Sequence, residues 1–520
     1  MSAATERASI IKRPETARFL QVLSRPWPLV DAFFVGILLL VAIARWTLLT
    51  KSPYPPGIDP GNWLAFGHAL VGEHIRSSSI VYPPVVPLLT LTASRLFGPF
   101  LGVQLLAEVS SILPAIAAYL VLRDSAGGWP GAILANFLAA ASSTYEAMAW
   151  GGYPQLIGLG FLILFLWAFD RYLRTRLRLH ALLAGVILAL TLATSDIIGA
   201  SAVVTGLFLL LGHLILRPTG KLEPGKMAAG LALVVLPCVP LVPLYVQLVT
   251  SVFGSFHARR TDTFLSAGAL PPAAATIYRD FPLFWRTAVL LAVLAPIALI
   301  SLRRTRLWLI GTSMLFGIAA LVIGLKEFRF LYLLPPLAIL GVACWTEFFR
   351  RSFVSIRWAG AAISVLLLFL LGLQSLYGLQ NLRANLLPYY TFLTPGLVSG
   401  LEWIRDKTPR DAVIASTASR GEYPLGWWIE GFSSRKTLYA ANPEWLNFAD
   451  ERDRAIKAAQ IFDVTVPLDV NLKRARRLGV SYLMINKEWM GHGLWEPKNS
   501  SLQPLDIVVD NESILLLRIR

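Results

Sequence analysis

Leu29 to Leu49 reads LVDAFFVGILLLVAIARWTLL, and just beyond it Gly57 to Gly61 reads GIDPG. The first stretch has the ~20 residues that a helix needs to cross a bilayer. It is too long for the apolar region of a cleavable signal peptide, and no small-residue cleavage site follows before Lys51, so it is expected to remain as a first span. The second stretch puts a carboxylate, Asp59, at the rim of that span, in a loop that Tyr82-Pro83-Pro84 closes. Asp-Pro-Gly is good turn chemistry in its own right, which leaves a turn and a chemical role both open for Asp59.

The rest of the chain repeats the first motif. Of the 520 residues 55% are hydrophobic and only 15% charged, and long apolar runs recur until about Tyr377, as in an integral membrane protein. Cys238 and Cys344 both stand inside apolar segments, which excludes a disulfide framework and a cysteine-based metal site. The net charge of +16 would suit nucleic acid, but the basic residues gather in short segments between apolar runs. That is the distribution of cytoplasmic loops, so no nucleic-acid partner is expected and membrane lipid is.

Those basic clusters predict a topology. Arg7, Lys12, Arg13, Arg18 and Arg25 put residues 1–26 on the cytoplasmic side. Further spans are predicted at about 100–122, 129–147, 154–171, 180–196, 199–216, 227–250, 284–302, 306–325, 329–348 and 358–378. Every basic cluster then falls on one side, provided that Val85 to Phe97 lies along the outer interface as an amphipathic helix instead of crossing. From about Asn381 the pattern becomes mixed, with a helix at Gly396 to Lys407, strands at Ala412 to Ser416, Tyr482 to Asn486, Ile507 to Asp510 and Ile514 to Ile519, and a helix at Leu468 to Leu478. The expected fold is an α-helical polytopic membrane protein of about 11 transmembrane helices (residues 1–380) with a C-terminal extracytoplasmic α/β domain (residues 381–520).

On this topology several polar residues share the outer side. Carboxylates at span ends facing one side imply a shared aqueous cavity, because polar groups at membrane depth are costly. Asp59, Glu146 and Asp196 are the acidic candidates, and Asp196 stands in the tight turn Thr194-Ser195-Asp196. Lys326 and Arg329, with Arg259 and Arg260, are the outer cations. His74, Tyr82, Tyr153, Trp427 and Trp428 add a histidine and aromatic faces, although interfacial belts are enriched in the same aromatic residues.

The Asp in "GIDPGNWLAFGHALVGE", the "YPP" that ends its loop, the many spans and the α/β tail together resemble the glycosyltransferase C superfamily. These are membrane enzymes that use polyprenyl-phosphate sugars, with oligosaccharyltransferase catalytic subunits and protein O-mannosyltransferases as distant relatives. "WIRDKTPRDAVIAS" (Trp403 to Ser416) looks like the start of the outer domain in such proteins. "WGGYP" (Trp150 to Pro154) and "KEFRFLYLLPP" (Lys326 to Pro336) look like their outer-loop and late-span segments. "GWWIEGFSSRKTLYA" (Gly426 to Ala440) is similar to the Trp-Trp-Asp-Tyr-Gly region that holds the acceptor sequon in oligosaccharyltransferases. It departs from that region, since Ile429 and Glu430 follow the two tryptophans, so the resemblance does not carry sequon recognition.

The resemblance implies sugar transfer from a polyprenyl-phosphate donor to a lipid, glycan or protein acceptor on the outer face. Such a reaction needs a carboxylate to activate the acceptor and positive charge for the departing phosphate. Asp59 fits the first role, with Glu146 or Asp196 as a second acid or metal ligand, and Arg329, Lys326, Arg259 and Arg260 fit the second. Tyr82, His74, Tyr153, Trp427 and Trp428 fit acceptor or sugar contacts. No Asp-X-Asp pair stands in the outer loops, so no cofactor is implied outright, and a divalent cation (Mg or Mn) stays open. A transporter or lipid flippase would also place ionisable groups at span ends, although the halves show no inverted similarity. A non-catalytic cell-envelope assembly protein of this architecture is the third reading.

Overall fold

The first span forms as expected: helix α1 (Pro28–Leu49) buries Phe34, Leu38 and Val41 against the protein and leaves Leu39, Leu40 and Ile43 exposed. The computed structural model describes residues 28–73, 82–123, 128–216, 224–259, 307–325, 333–352, 359–381, 383–384, 387, 391–419, 422–442, 446, 449–489, 492–495 and 505–520. Helices α2 (Asp59–Leu70), α3 (Val85–Phe97), α4 (Leu101–Leu122), α5 (Gly128–Ala139), α6 (Ser142–Trp150), α7 (Tyr153–Thr175), α8 (Arg178–Thr194) and α9 (Asp196–Leu216) follow. Then come α10 (Pro224–Val235), a 3-10 segment at Leu236–Leu241, α11 (Val242–Arg259), α12 (Trp308–Leu325), α13 (Leu334–Ser352) and α14 (Ala359–Asn381).

Among the described residues six helices are long and apolar enough to cross a membrane, and α8, α12 and α13 are shorter apolar helices at predicted spans. The protein is therefore multi-pass, and the predicted 284–302 span lies outside the described residues. The span predicted at 129–147 is instead two helices, α5 and α6. Ala141 breaks the run with extended backbone (φ −69°, ψ 137°), and the Thr144 hydroxyl donates to the Leu138 carbonyl freed there at 2.8 Å. A run of small apolar residues gave no warning of that break, because its periodicity is the same on both sides. Helix α3 has 13 residues, ~20 Å at ~1.5 Å per residue, too short for a ~30 Å hydrocarbon core. It buries Val86, Thr90 and Leu91 and exposes Leu88, Leu89, Leu96 and Phe97.

The C-terminal region adds α15 (Pro395–Lys407), β1 (Val413–Ser416), α16 (Gly426–Ser433), β2 (Lys436–Tyr439), α17 (Ala449–Ile461), α18 (Leu468–Arg477), β3 (Tyr482–Asn486), β4 (Leu505–Asp510) and β5 (Ile514–Ile519). The sheet order is β2-β1-β3-β5-β4. Strand β1 runs parallel to β2 and β3, while β5 pairs antiparallel with β3 and β4. Thr394 caps α15 by accepting from the Leu397 amide at 3.1 Å.

Alternation along the strands decides what each sheet face touches, since neighbouring side chains point to opposite faces. Ile414, Tyr482, Met484, Ile514 and Leu516 share a core with Leu48, Trp63, Val103 and Tyr153 of the helical body. Their neighbours Ala415, Leu483, Ile485, Leu515 and Leu517 pack instead with Ile461, Phe462, Leu472 and Trp495. One face of the sheet is thus joined, through α15 and α16, to the helices around Asp59.

Candidate active site

Asp59 is not in a free turn: it is the first residue of α2, followed by Pro60 in the first turn. Proline there is preorganised for a helix start, and a carboxylate there is favoured by the helix dipole. The segment before it depends on glycine. Gly57 has φ +86°, a left-handed backbone, and a Cβ on it would stand 2.7 Å from the Ala149 carbonyl oxygen and 2.8 Å from the Trp150 carbonyl carbon. Gly151 mirrors this with φ +97°, and its Cβ would stand 2.5 Å from Pro60 Cδ and 2.9 Å from Asp59 Cβ. The Gly57 loop and the Gly151 loop are thus seated on each other. The Trp63 Nε1 donates to the Gly151 carbonyl at 2.8 Å and locks the pair. Gln104, buried on α4, fixes the incoming chain by donating to the carbonyls of Ser52 and Tyr54, each at 3.0 Å.

The other side of α2 is covered by α16. A Cβ on Gly61 would lie 2.8 Å from Trp428 Cα, and one on Gly431 would lie 2.9 Å from the Gly61 carbonyl carbon and 3.0 Å from Leu64 Cβ. Trp428, wholly buried, donates its Nε1 to the Gly57 carbonyl at 3.2 Å. GIDPG, WGGYP and GWWIEG, far apart in sequence, meet around one half-buried carboxylate.

Beyond Trp63 the contact continues. The Tyr82 ring lies 4.7 Å from Trp63 and 5.8 Å from Phe66, centroid to centroid. The Tyr82 hydroxyl donates to Asp196 Oδ1 at 3.4 Å, and Asp196 opens α9. Tyr245 buttresses that turn by donating to the Leu192 carbonyl at 2.9 Å. Tyr153 is fully buried and close enough to Asp59 for the two to interact electrostatically.

The predicted site residues therefore fall into three sets. Asp59, Asp196, Tyr82, Tyr153, Trp427 and Trp428 belong to one connected region, and half-buried Glu146 lies on α6, whose end contacts the Gly57 loop. Trp427 packs with Ile58 and Tyr439, and Trp428 presents no open ring face, so both tryptophans stand here as packing elements. Arg259 is the last residue of α11. His74, Arg260, Lys326 and Arg329 lie outside the described residues. Among the described residues no three His, Cys, Asp or Glu side chains are grouped as metal ligands would be.

The chain matches no protein-family model and no curated protein. Its architecture superimposes on ArnT from Cupriavidus metallidurans bound to undecaprenyl phosphate, with a TM-score of 0.57 at 13% identity over 94% of this chain and 97% of that one. The apo form of the same protein gives 0.56 at 14% identity, over the same shares of both chains. The Archaeoglobus fulgidus oligosaccharyltransferase in its apo form gives 0.51 at 15% identity, over 90% of this chain and 72% of that one. The chain has the glycosyltransferase C fold.

Within this glycosyltransferase C fold, sequence reading missed Trp63, Gln104, Gly151 and Gly431, which build the walls around Asp59. Gly151 and Trp63 had a signal: both sit inside the quoted motifs, and a doubled glycine after a tryptophan asks for a backbone that other residues avoid. Gly431 also stands in a motif, GWWIEG, but as a helical glycine, and Gln104 as a span glutamine; each acquires meaning only from the partner packed on it.

Proposed function

We propose that the chain transfers a sugar from a polyprenyl-phosphate donor to an acceptor on the outer face of the membrane, with Asp59 as the base. In that step the acceptor nucleophile bonds to the sugar anomeric carbon as the bond to the phosphate oxygen breaks. The polyprenyl phosphate leaves with the bonding electrons, and the acceptor proton passes to Asp59. A base held where closely packed elements meet suits such a reaction, which depends on orientation.

The observation that carries the reading is the seating of Asp59 between the Gly151 loop and α16, in a fold shared with ArnT, solved with undecaprenyl phosphate bound, and with an oligosaccharyltransferase. Asp196, held by Tyr82, is the favoured second acid, with Glu146 as the other. Lys326, Arg329, Arg259 and Arg260 are proposed to hold the donor phosphate, where a lipid head group meets the interface. The α/β domain and Asp59 are placed outside and the amino terminus inside, with about eleven spans, on the strength of the basic clusters. No step of this mechanism is routed through a divalent cation.

The test uses full-length protein in sealed vesicles of defined orientation and a panel of radiolabelled undecaprenyl-phosphate hexoses and pentoses, with membrane extract as acceptor on one side only. Asp59→Asn keeps the size of the side chain and is expected to lose ~10²-fold or more in rate at parental expression. Transfer at the parental rate by this variant, or only to acceptor on the cytoplasmic face, overturns the assignment.

A further inference from the structure

The α/β domain reaches Asp59 through a helix of only eight residues, α16, buried along its length. Trp428 bonds to the Gly57 carbonyl, and Gly431 presses on the Gly61 carbonyl. These are the backbone positions two residues before and two residues after Asp59. Trp428 and Gly431 are three apart and share a helix face, whereas Glu430, two residues beyond Trp428, points to roughly the opposite side at roughly 100° per residue.

On that opposite side Glu430 is tied down by charge. Its Oε1 accepts from Arg454 Nη1 on α17 at 3.3 Å, and the Glu430 and Arg454 side chains are 1% and 10% exposed. The Arg454 guanidinium also lies 5.4 Å from the centroid of the Tyr439 ring. Burial, and after it the charge of Glu451, pushes the Tyr439 hydroxyl well above its ordinary value.

A buried ion pair is weak as a source of stability, because desolvation offsets the attraction and an apolar pair of similar volume is often as stable. Its best-attested use is to fix one arrangement among several. An apolar back on α16 would let this two-turn helix roll, and every degree of roll would move Trp428 and Gly431 against the Asp59 backbone.

We infer that Glu430, held by Arg454, is a positioning residue for Asp59: it sets the rotation of α16, and α16 sets the backbone that presents the carboxylate. This rests on the reading of Asp59 as the base. A displacement of about 1 Å at a reacting group costs up to ~10²-fold in rate.

Because the charge of buried Glu451 also acts on Arg454, the deciding variant is the apolar triple replacement Glu430→Leu/Glu451→Leu/Arg454→Met in the full-length protein in lipid nanodiscs, with Trp428→Phe, which loses only the N–H donor to Gly57, beside it in case the triple variant fails to fold. Two readouts are taken: initial rates with a radiolabelled undecaprenyl-phosphate hexose, split into kcat and donor KM, and hydrogen exchange of the amides from Gly57 to Phe66. The expected result is a parental unfolding temperature, donor KM within about twofold, kcat lowered about tenfold or more, and faster exchange over Gly57 to Phe66. Parental kcat and exchange in a folded variant overturn the inference, because a merely structural pair is replaceable by apolar residues. Asp59→Asn is assayed alongside: if it alone is fully active, the proposed function fails. In that case, or if this donor gives no turnover, the exchange result decides the positioning claim by itself, faster exchange supporting it and unchanged exchange overturning it.

Discussion

The two walls that enclose Asp59 use glycine for opposite reasons. The wall from the helical body, Ala149 to Gly151, meets the loop through Gly57 and Gly151, both with left-handed backbone. The wall from the α/β domain meets α2 through Gly61 and Gly431, both helical, where the missing side chain only allows close approach. Behind each wall stands a buried ion pair, and these differ too. Arg45 donates to Glu108 through Nε at 3.0 Å and Nη2 at 2.6 Å, donates Nη1 to the Ala139 carbonyl at 2.8 Å, and lies 5.6 Å from the centroid of the Tyr145 ring. Arg454 meets Glu430 through one nitrogen at 3.3 Å. The body side is a fixed jaw, defined by conformation and a bidentate clamp. The domain side is held by packing and a longer ion-pair bond, with the charges of Glu451 and Asp450 also acting on Arg454, so it is the jaw expected to shift.

The largest expected effect tests the fixed jaw. Arg45→Leu strands the largely buried Glu108 carboxylate and the Ala139 carbonyl, and removing one partner of a buried pair costs about 3–5 kcal/mol. Arg454→Leu strands the Glu430 carboxylate, whose bond to Arg454 is longer and not bidentate, so its loss is expected to be the smaller of the two. Thermal unfolding in one detergent at matched concentration compares them. Equal losses, or a greater one for Arg454→Leu, would mean that the two clamps are equivalent and that the comparison of jaws is wrong.

Next in size are the glycines. Gly151→Ala places a Cβ on a left-handed backbone, costing roughly 1–2 kcal/mol for conformation, and drives it into Pro60 Cδ and Asp59 Cβ, adding roughly 1–3 kcal/mol of overpacking. Gly431→Ala has no conformational penalty, but its Cβ would overlap the Gly61 backbone carbonyl oxygen more closely than any contact at Gly151, so α16 has to retreat from α2. Gly151→Ala, which carries both penalties, is therefore expected to lower the unfolding temperature and the yield, and Gly431→Ala to lower the unfolding temperature by less while exchange over α2 quickens. If Gly431→Ala unfolds the protein as readily as Gly151→Ala, the domain side is as rigid as the body side.

How much of this was readable in the sequence follows the same division. The first span, the α/β strands β1, β3 and β5, and α15 stand close to their predicted places, because the span and the strands are apolar runs of fitting length and α15 is amphipathic. Helix α17 (ADERDRAIKAAQI) and the four-residue edge strand β2 (KTLY) were not predicted. The first is polar except where Ala455, Ala458 and Ile461 face the core, and the second is too short for alternation to register. At the site, Asp59 was legible because acid, proline and glycine together beyond a span are informative by type. The clamp was not, since Arg45 reads as one charge inside a hydrophobic run and Glu108 as another. Only the packing of α1 on α4 makes them a pair. Glu430 was visible merely as a departure from a motif, and its role comes from Arg454, which stands on the unpredicted helix.

The smallest effect concerns the far end of α2, which lies beyond both jaws. There Glu73 accepts from His68 Nδ1 at 2.8 Å and is bonded by Arg95 at the end of α3. The His68 bond first, and Arg95 next, hold the Glu73 carboxyl below its ordinary value of 4.5. A carboxyl depressed in the folded protein stabilises the fold above its unfolded value, and that contribution is lost as the pH falls through the lower folded value. The clasp is therefore intact at neutral pH and opens in acid, below about the ordinary carboxylate value. Because the pair is exposed, solvent and salt screen it, so the effect is confined to the end of the helix. Hydrogen exchange at Val71 to Glu73, corrected for intrinsic rates, is expected to lose protection between neutral pH and pH below 4.5, while protection at Gly61 to Leu64, between the jaws, does not change. Glu73→Gln is expected to show the lower protection at both pH values, and raised salt to narrow the gap between parent and variant. If the variant keeps the parental response to acid, the end of α2 is fastened by something other than this carboxylate. If Gly61 to Leu64 lose protection together with it, α2 responds as one body and the jaws do not isolate Asp59 from its surface end.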